Sequence, residues 1–429
     1  MTSDAASAAL NLPQIIQDAL QWDRQQWKSE GVALDPFYDV PADSSLAAPG
    51  KLLKLEETTD TSLYTIPPGT ALSRFIYQSE TMKGTSVPVS AYILWPYSPR
   101  ESKNEYEVVA WAHGTSGFTP NSAPSHHRNL SQHYFAPFNL ALNGYVVVAT
   151  DYAGLGVGKT ASGLPIPHEW LASPAQANDV IYSVQAAREA FPSLGKRFVV
   201  LGSSQGGGAS WSIAQRQVTS PVDGYLGAIA VAPVTNILKE TDPVRSMLAL
   251  GLLQSIASYF PVFKEADVAT PEGLQGAALV RALEAPTSTG MAMLMGANLL
   301  QSNWHENQYI QQYQELIVNG GKAISEPLLV IMGEADTNLQ FSVAVSAFKE
   351  TLEKFSDAPI EFISLPGVSH DPALTASQRF WMDWIADRFA GRDVDRSGEE
   401  LQVKAGRHLG AYQPELNAYL SPATQFYQI

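Results

Sequence analysis

The stretch from Phe198 to Gln217 constrains this chain more than any other. Four apolar residues, Phe198-Val199-Val200-Leu201, run into Gly202-Ser203-Ser204-Gln205-Gly206, and a helical pattern follows over 209–217. A strand, a tight turn and a helix in that order hold the central serine in a strained backbone conformation and lift its hydroxyl above the strand end. Glycine is expected at 202 and 206 because the turn presses backbone segments too close for a Cβ. The hydroxyl then stands at a helix N-terminus, whose positive potential favours developing negative charge. Gly-x-Ser-x-Gly alone also suits an ordinary glycine-rich loop. The flanking strand and helix are what single out Ser204 as a nucleophile.

The rest of the chain repeats the alternation. Apolar runs predict strands over 71–78, 87–95, 107–112, 145–149, 225–231, 328–332 and 360–365. Helical periodicity appears over 12–27, 134–142, 174–190, 341–355 and 374–389, with Ser173 reading as an N-cap and Pro174 as the first helical residue. Strands separated by helices predict an α/β fold with a mostly parallel, doubly wound sheet. The alternation stops at Pro233, and only helical patterns follow until Ser325, including 244–259, 274–283 and 291–300. A helical insertion between two such strands predicts a cap over the strand C-termini. The expected organisation is an N-terminal extension (1–60), a core (61–232 and 326–390), a helical cap (233–325) and a C-terminal tail (391–429).

Composition narrows the partners. Forty-two acidic against 27 basic residues give a formal charge of −15, which disfavours nucleic acid and anionic membrane surfaces. The absence of cysteine excludes disulfides, thiolate chemistry and cysteine-held zinc. No run of 18 apolar residues occurs, so no transmembrane helix is expected. Residues 1–12 lack a basic n-region and a continuous apolar core, so they do not read as a signal peptide. The expectation is a chain that stays in the cell or one whose leader has been removed.

A serine hydroxyl is a weak nucleophile and needs a general base, itself oriented by a carboxylate. On a doubly wound sheet these follow in the order serine, acid, histidine, each just after a strand. Asp336 lies in Gly333-Glu334-Ala335-Asp336 after the 328–332 run, and His370 follows the 360–365 run, before Asp371-Pro372, which reads as a helix start. Glu334 is a chemical alternative to Asp336, Asp383 falls within a predicted helix, and His408 follows no strand. Two backbone N–H groups must hold the oxyanion. Gln205, next to the nucleophile, and Thr115, in His113-Gly114-Thr115, fit that need. His113 reads as a brace for its loop, and Asp151, which precedes the nucleophile, as part of a structural loop near the pocket. His126, His127 and His133 have no carboxylate at zinc-ligand spacing and read as solvent-facing, so no metal is expected. Gly154-x-Gly156-x-Gly158-Lys159 lacks the spacing of a phosphate loop, and no cofactor is implied. Met291, Met293 and Met295 suit either an acyl-chain pocket or the core of the cap.

His113-Gly114-Thr115, Ala123-Pro124-Ser125, Asp151-Tyr152-x-Gly154 and Gly202-Ser203-Ser204-Gln205-Gly206-Gly207 resemble the α/β-hydrolases. Within that superfamily the chain resembles the secretory-lipase group of lipase A-like serine esterases. The order Ser204, Asp336, His370 and the helical insertion before the acid strand are shared as well. The resemblance, over about 60–390, implies a lidded carboxylic-ester hydrolase. It would act on small-molecule acyl esters, lipids among them, through an acyl-enzyme on Ser204. It also implies export with a leader removed. Open alternatives are an acyltransferase on the same residues, a non-catalytic ligand-binding member of the fold, and a peptidase.

Overall fold

Val108 to Ala112 and Phe198 to Leu201 are fully buried at every position. Successive strand residues point to opposite faces, so burial of all of them means that both faces of the sheet are covered. The computed structural model describes residues 12–42, 44–102, 105–131, 136–394, 397–413 and 424–428. Its single sheet has eleven strands: β1 Leu52–Glu56, β2 Ala71–Glu80, β3 Ser86–Trp95, β4 Glu101–Ser102, β5 Glu105–Ala112, β6 Val146–Thr150, β7 Leu194–Ser203, β8 Tyr225–Val231, β9 Leu328–Gly333, β10 Ile360–Leu365 and β11 Glu400–Gln402. They lie in the order β1-β2-β3-β6-β5-β7-β8-β9-β10-β11, with β4 paired to β5. From β6 through β11 all neighbours on this path are parallel, while β1, β2 and β3 form an antiparallel edge.

The helices are α1 Gln14–Gln25, α2 Pro137–Leu142, α3 Ser173–Ala190, α4 Gln205–Arg216, α5 Val244–Tyr259, α6 Pro271–Ala282, α7 Thr287–Leu294, α8 Gln308–Ile317, α9 Phe341–Lys354, α10 Pro372–Ala376 and α11 Gln378–Ala390. Helices α5 to α8 fill the interval between β8 and β9. Helix α7 begins after Pro286 and is spent before Gly296, whose φ of +79° breaks the helical path, so the 291–300 expectation lies too far along the chain.

Several elements depart from the sequence reading. Strand β1 falls within the 1–60 extension, for which the sequence predicts no strand. Its Leu52-Leu53-Lys54-Leu55-Glu56 is an edge strand with a bulge and half-buried side chains, so it lacks the apolar run of a central strand. The expected 374–389 helix is two helices, broken where the Ser377 hydroxyl donates to the Ala373 carbonyl at 2.6 Å. Ser173 is the first residue of α3 and caps nothing; its hydroxyl accepts from Asn319 at 3.3 Å. Asp371-Pro372 does open α10 as expected, although the Asp371 side chain makes no capping bond. Finally, α1 packs against the inserted helices: Ile16 and Leu20 share a buried cluster with Val280, Leu283 and Ala285.

Candidate active site

The turn between β7 and α4 places Ser204 at φ 57°, ψ −116°, a conformation that L-residues rarely adopt. A Cβ on Gly202 would overlap the Gly206 carbonyl, and one on Gly206 would overlap the carbonyl of Ala112 at the end of β5. The strain is held by the ladder around it: Ser204 N–H donates to Val231 at 2.9 Å, and Gly208 N–H to Ser204 at 3.0 Å.

His370 Nε2 lies 2.9 Å from Ser204 Oγ, and its Nδ1 lies 2.7 Å from Asp336 Oδ2. The loops after β9 and β10 are tied together to achieve this. Glu334 N–H donates to Leu365, and Ala335 N–H to Val368, each at 3.0 Å. Asp336 Oδ1 accepts the N–H groups of Asn338 and Leu339, both at 2.8 Å, so the carboxylate is fixed by its own turn. Burial acts to lower the His370 pKa, but the hydrogen bond and charge of Asp336 outweigh it and hold the pKa above the usual histidine value. Glu240, which the sequence did not suggest, stands close enough to add to that field; burial pushes its own carboxyl up to about 7.

The alternatives point elsewhere. Glu334 accepts from Gln402 at 2.6 Å, and Asp383 faces Arg379 in solvent. Asp151 is fully buried and accepts from the Ser90 hydroxyl at 2.6 Å and from the Ser125 N–H at 2.8 Å, anchoring the 123–125 loop. Burial raises its pKa to about 6. His113 is buried as well, with Nδ1 2.7 Å from Gly114 O and Nε2 3.2 Å from Asp151 O.

Thr115 lines the cavity with Ser204 and His370. Its hydroxyl accepts from the Trp170 indole at 3.0 Å, and its carbonyl from the Thr287 hydroxyl at 3.0 Å. Gln205 opens α4, where its N–H can have no intrahelical acceptor.

The histidine pair corrects an expectation. His126 and His127 are buried, not solvent-facing, because Gln26-Trp27-Lys28 after α1 bridges the 126–128 segment, with Trp27 against the His126 ring at 5.6 Å. Burial lowers their pKa values to about 3 and 4. His133 lies outside the described residues. Among the described residues no group of three metal-ligating side chains comes together, and no helix is long and apolar enough to cross a membrane. Gly154 and Gly156 are used for packing: a Cβ there would overlap the His168 backbone and the Ser90 hydroxyl, respectively.

The cavity holds about 770 Å³. Met247, Leu248, Met291, Leu294 and Met295 give it an apolar wall from α5, α7 and the turn after α7. Met293 is not part of that wall; it packs in the α1 cluster with Ile16 and Leu20. Trp22 and Asp23 of α1, Gln26 just after it, and Phe426 also reach the cavity, and no sequence signal points to them. Asp23 accepts from Thr289 of α7 at 3.0 Å, and burial lifts its pKa to about 7.

Residues 109–382 match the model of the alpha/beta hydrolase family. The chain belongs to that family. As an α/β-hydrolase it is similar in structure to lipase A of Candida antarctica, with a TM-score of 0.71 at 15% identity over 88% of this chain and 90% of that one. The closed state of the same lipase gives 0.70 at 16% identity, over 93% of each chain. The rice cell wall degrading esterase LipA of Xanthomonas oryzae gives 0.62 at 16% identity, covering 79% of this chain and all of that one. At such identities the likeness establishes the fold. Comparison with curated proteins gives no match. The strand order and the serine-bearing turn of this α/β-hydrolase agree with the fold expected from its motifs.

Proposed function

We propose that the protein hydrolyses carboxylic esters through an acyl-enzyme on Ser204. The observation that carries this reading is the hydrogen-bonded series Ser204, His370, Asp336, at 2.9 and 2.7 Å, opening onto a cavity with an apolar wall. Lipases and esterases among the structural neighbours support it.

In this reading His370 Nε2 takes the Ser204 proton as Oγ attacks the ester carbonyl. Asp336 holds the Nδ1–H tautomer and stabilises the imidazolium. The oxyanion accepts the N–H groups of Thr115 and Gln205, each donor contributing a factor of about 10²–10³ in kcat. His370 then protonates the departing alcohol, and a water, activated by the same histidine, releases the acid. The insertion 233–325, built on helices α5 to α8, acts as the cap, with Met247, Met291 and Met295 receiving the acyl chain.

Ser204→Ala tests the assignment. The variant should fold with an unchanged thermal transition and lose nearly all hydrolysis of p-nitrophenyl esters. An organophosphorus probe should label the native protein at Ser204. Turnover that survives in the variant, or labelling elsewhere, would overturn it.

A further inference from the structure

The two proposed oxyanion donors come from distant parts of the chain, yet one short segment reaches both. His168 is buried, and its Nδ1 lies 2.9 Å from the carbonyl of Ala153. A carbonyl only accepts, so Nδ1 carries the proton and Nε2 presents a lone pair. The Gln205 side-chain amide lies 3.4 Å from Nε2 and donates to it. Burial holds the His168 pKa near 4, which keeps that lone pair free at neutral pH. Two residues on, the Trp170 indole N–H donates to the Thr115 hydroxyl at 3.0 Å.

Aromatic rings close the circuit. The Tyr152 ring stacks with His168, 6.2 Å between centroids at 24°, and meets His113 in a tilted contact, 4.2 Å at 30°. The Tyr152 hydroxyl donates to the His113 carbonyl at 3.0 Å, two residues before Thr115. The segment itself is held from outside. The Glu169 carboxylate accepts the Met82 N–H at 2.9 Å, and a Cβ on Gly251 of α5 would overlap the Trp170 ring.

We propose that His168 and Trp170 are positioning residues that fix the separation of the two oxyanion donors, His168 through Gln205 and Trp170 through Thr115. This rests on the reading of Thr115 and Gln205 given above. A misplaced donor stabilises the oxyanion less well, whereas ground-state binding of the ester is little affected.

The test uses the full chain and p-nitrophenyl butyrate, with a trifluoromethyl ketone as probe of the oxyanion site. Ser204 Oγ adds to the carbonyl carbon of such a ketone, its proton passes to His370 Nε2, and the C=O π pair moves to the hemiketal oxygen, which carries the negative charge. His168→Leu should lower kcat at least tenfold with KM within about twofold, and should weaken the ketone by the same factor. His168→Gln should recover most of both, because its amide can donate to Ala153 and accept from Gln205. Trp170→Phe keeps a ring but removes the N–H, and should weaken the ketone at least fivefold. A folded His168→Leu with native kcat and ketone affinity would overturn the proposal. So would a His168→Gln as impaired as the leucine variant. Should the leucine variant fail to fold, Trp170→Phe decides, and native ketone affinity in it would overturn the proposal. Ester hydrolysis by the unaltered protein, abolished by Ser204→Ala, is read separately. If it is absent, the function reading fails and this inference falls with it.

Discussion

Replacing Asp336 by Asn removes one charge and almost no volume, and the structure dictates where the new amide must point. Oδ1 of Asp336 accepts two backbone N–H groups, those of Asn338 and Leu339, at 2.8 Å each. The asparagine oxygen has to remain there, since an NH₂ group would face two donors. The NH₂ therefore takes the place of Oδ2, 2.7 Å from His370 Nδ1. It can only donate, so Nδ1 becomes the acceptor and the ring proton moves to Nε2, the nitrogen 2.9 Å from Ser204 Oγ. A nitrogen already protonated cannot take the serine proton. For the corresponding substitution in a serine protease triad, the wrong tautomer costs ~10⁴ in kcat. The same is expected here, about 5.4 kcal/mol at ~1.36 kcal/mol per decade. The assay is steady-state hydrolysis of p-nitrophenyl butyrate at pH 8, with KM and the thermal transition measured alongside. A folded variant within tenfold of the native kcat would refute the argument.

Because Asp336 holds the His370 pKa above its ordinary 6.5, the neutral and active form appears only at higher pH. The acidic limb of kcat/KM should lie above pH 6.5, and a limb at or below that value would contradict the assignment. Asp23, whose pKa rises from 3.8 to about 7 on folding, binds its proton more tightly in the native state. Its contribution to stability is complete below pH 3.8 and is lost as the pH rises through 7. Relative to Asp23→Asn, the native protein should therefore lose thermal stability between pH 5 and pH 8; a constant difference in Tm would refute this. Each CH₂ of the acyl chain should gain up to ~0.8 kcal/mol on burial, about fourfold in kcat/KM, until the cavity is filled. Met291→Gln or Met295→Gln should shift that chain-length optimum, whereas Met293→Gln should lower Tm and leave the optimum in place. Equal profiles for all three would show that the cavity wall has been misassigned.

Strong local signals carried the sequence reading. The buried runs at 328–332 and 360–365, and the glycines flanking Ser204, are dictated by physics acting over a few residues. So Ser204, Asp336 and His370 could be named from the strands that end beside them, and the structure brings the three together. The features without a local sequence signal depend on contacts between distant segments. Trp22 and Asp23 read as one turn of an amphipathic helix; only docking of α1 on α7 brings them to the cavity. His126 and His127 read as solvent-facing in the sequence because no local pattern foretells that Trp27 covers them. Within α7 the methionines divide by helical phase, Met293 turning about 200° away from Met291, while Met295 meets the cavity from the turn after the helix.

The overlap that a Cβ on Gly206 would make with the Ala112 carbonyl bears on how the molecule is assembled. The serine turn has its final shape only once β5 and β7 lie side by side, and His370 arrives only with β10. Pairings between segments so far apart in the chain form late, after their loop-closure entropy has been met. During refolding, helix content should therefore return before turnover does, and a chain halted short of full sheet formation would be compact yet inert. Hydrolysis of a chromogenic ester then serves as a stopwatch for completion of the whole sheet, started at dilution from denaturant and read in a spectrophotometer.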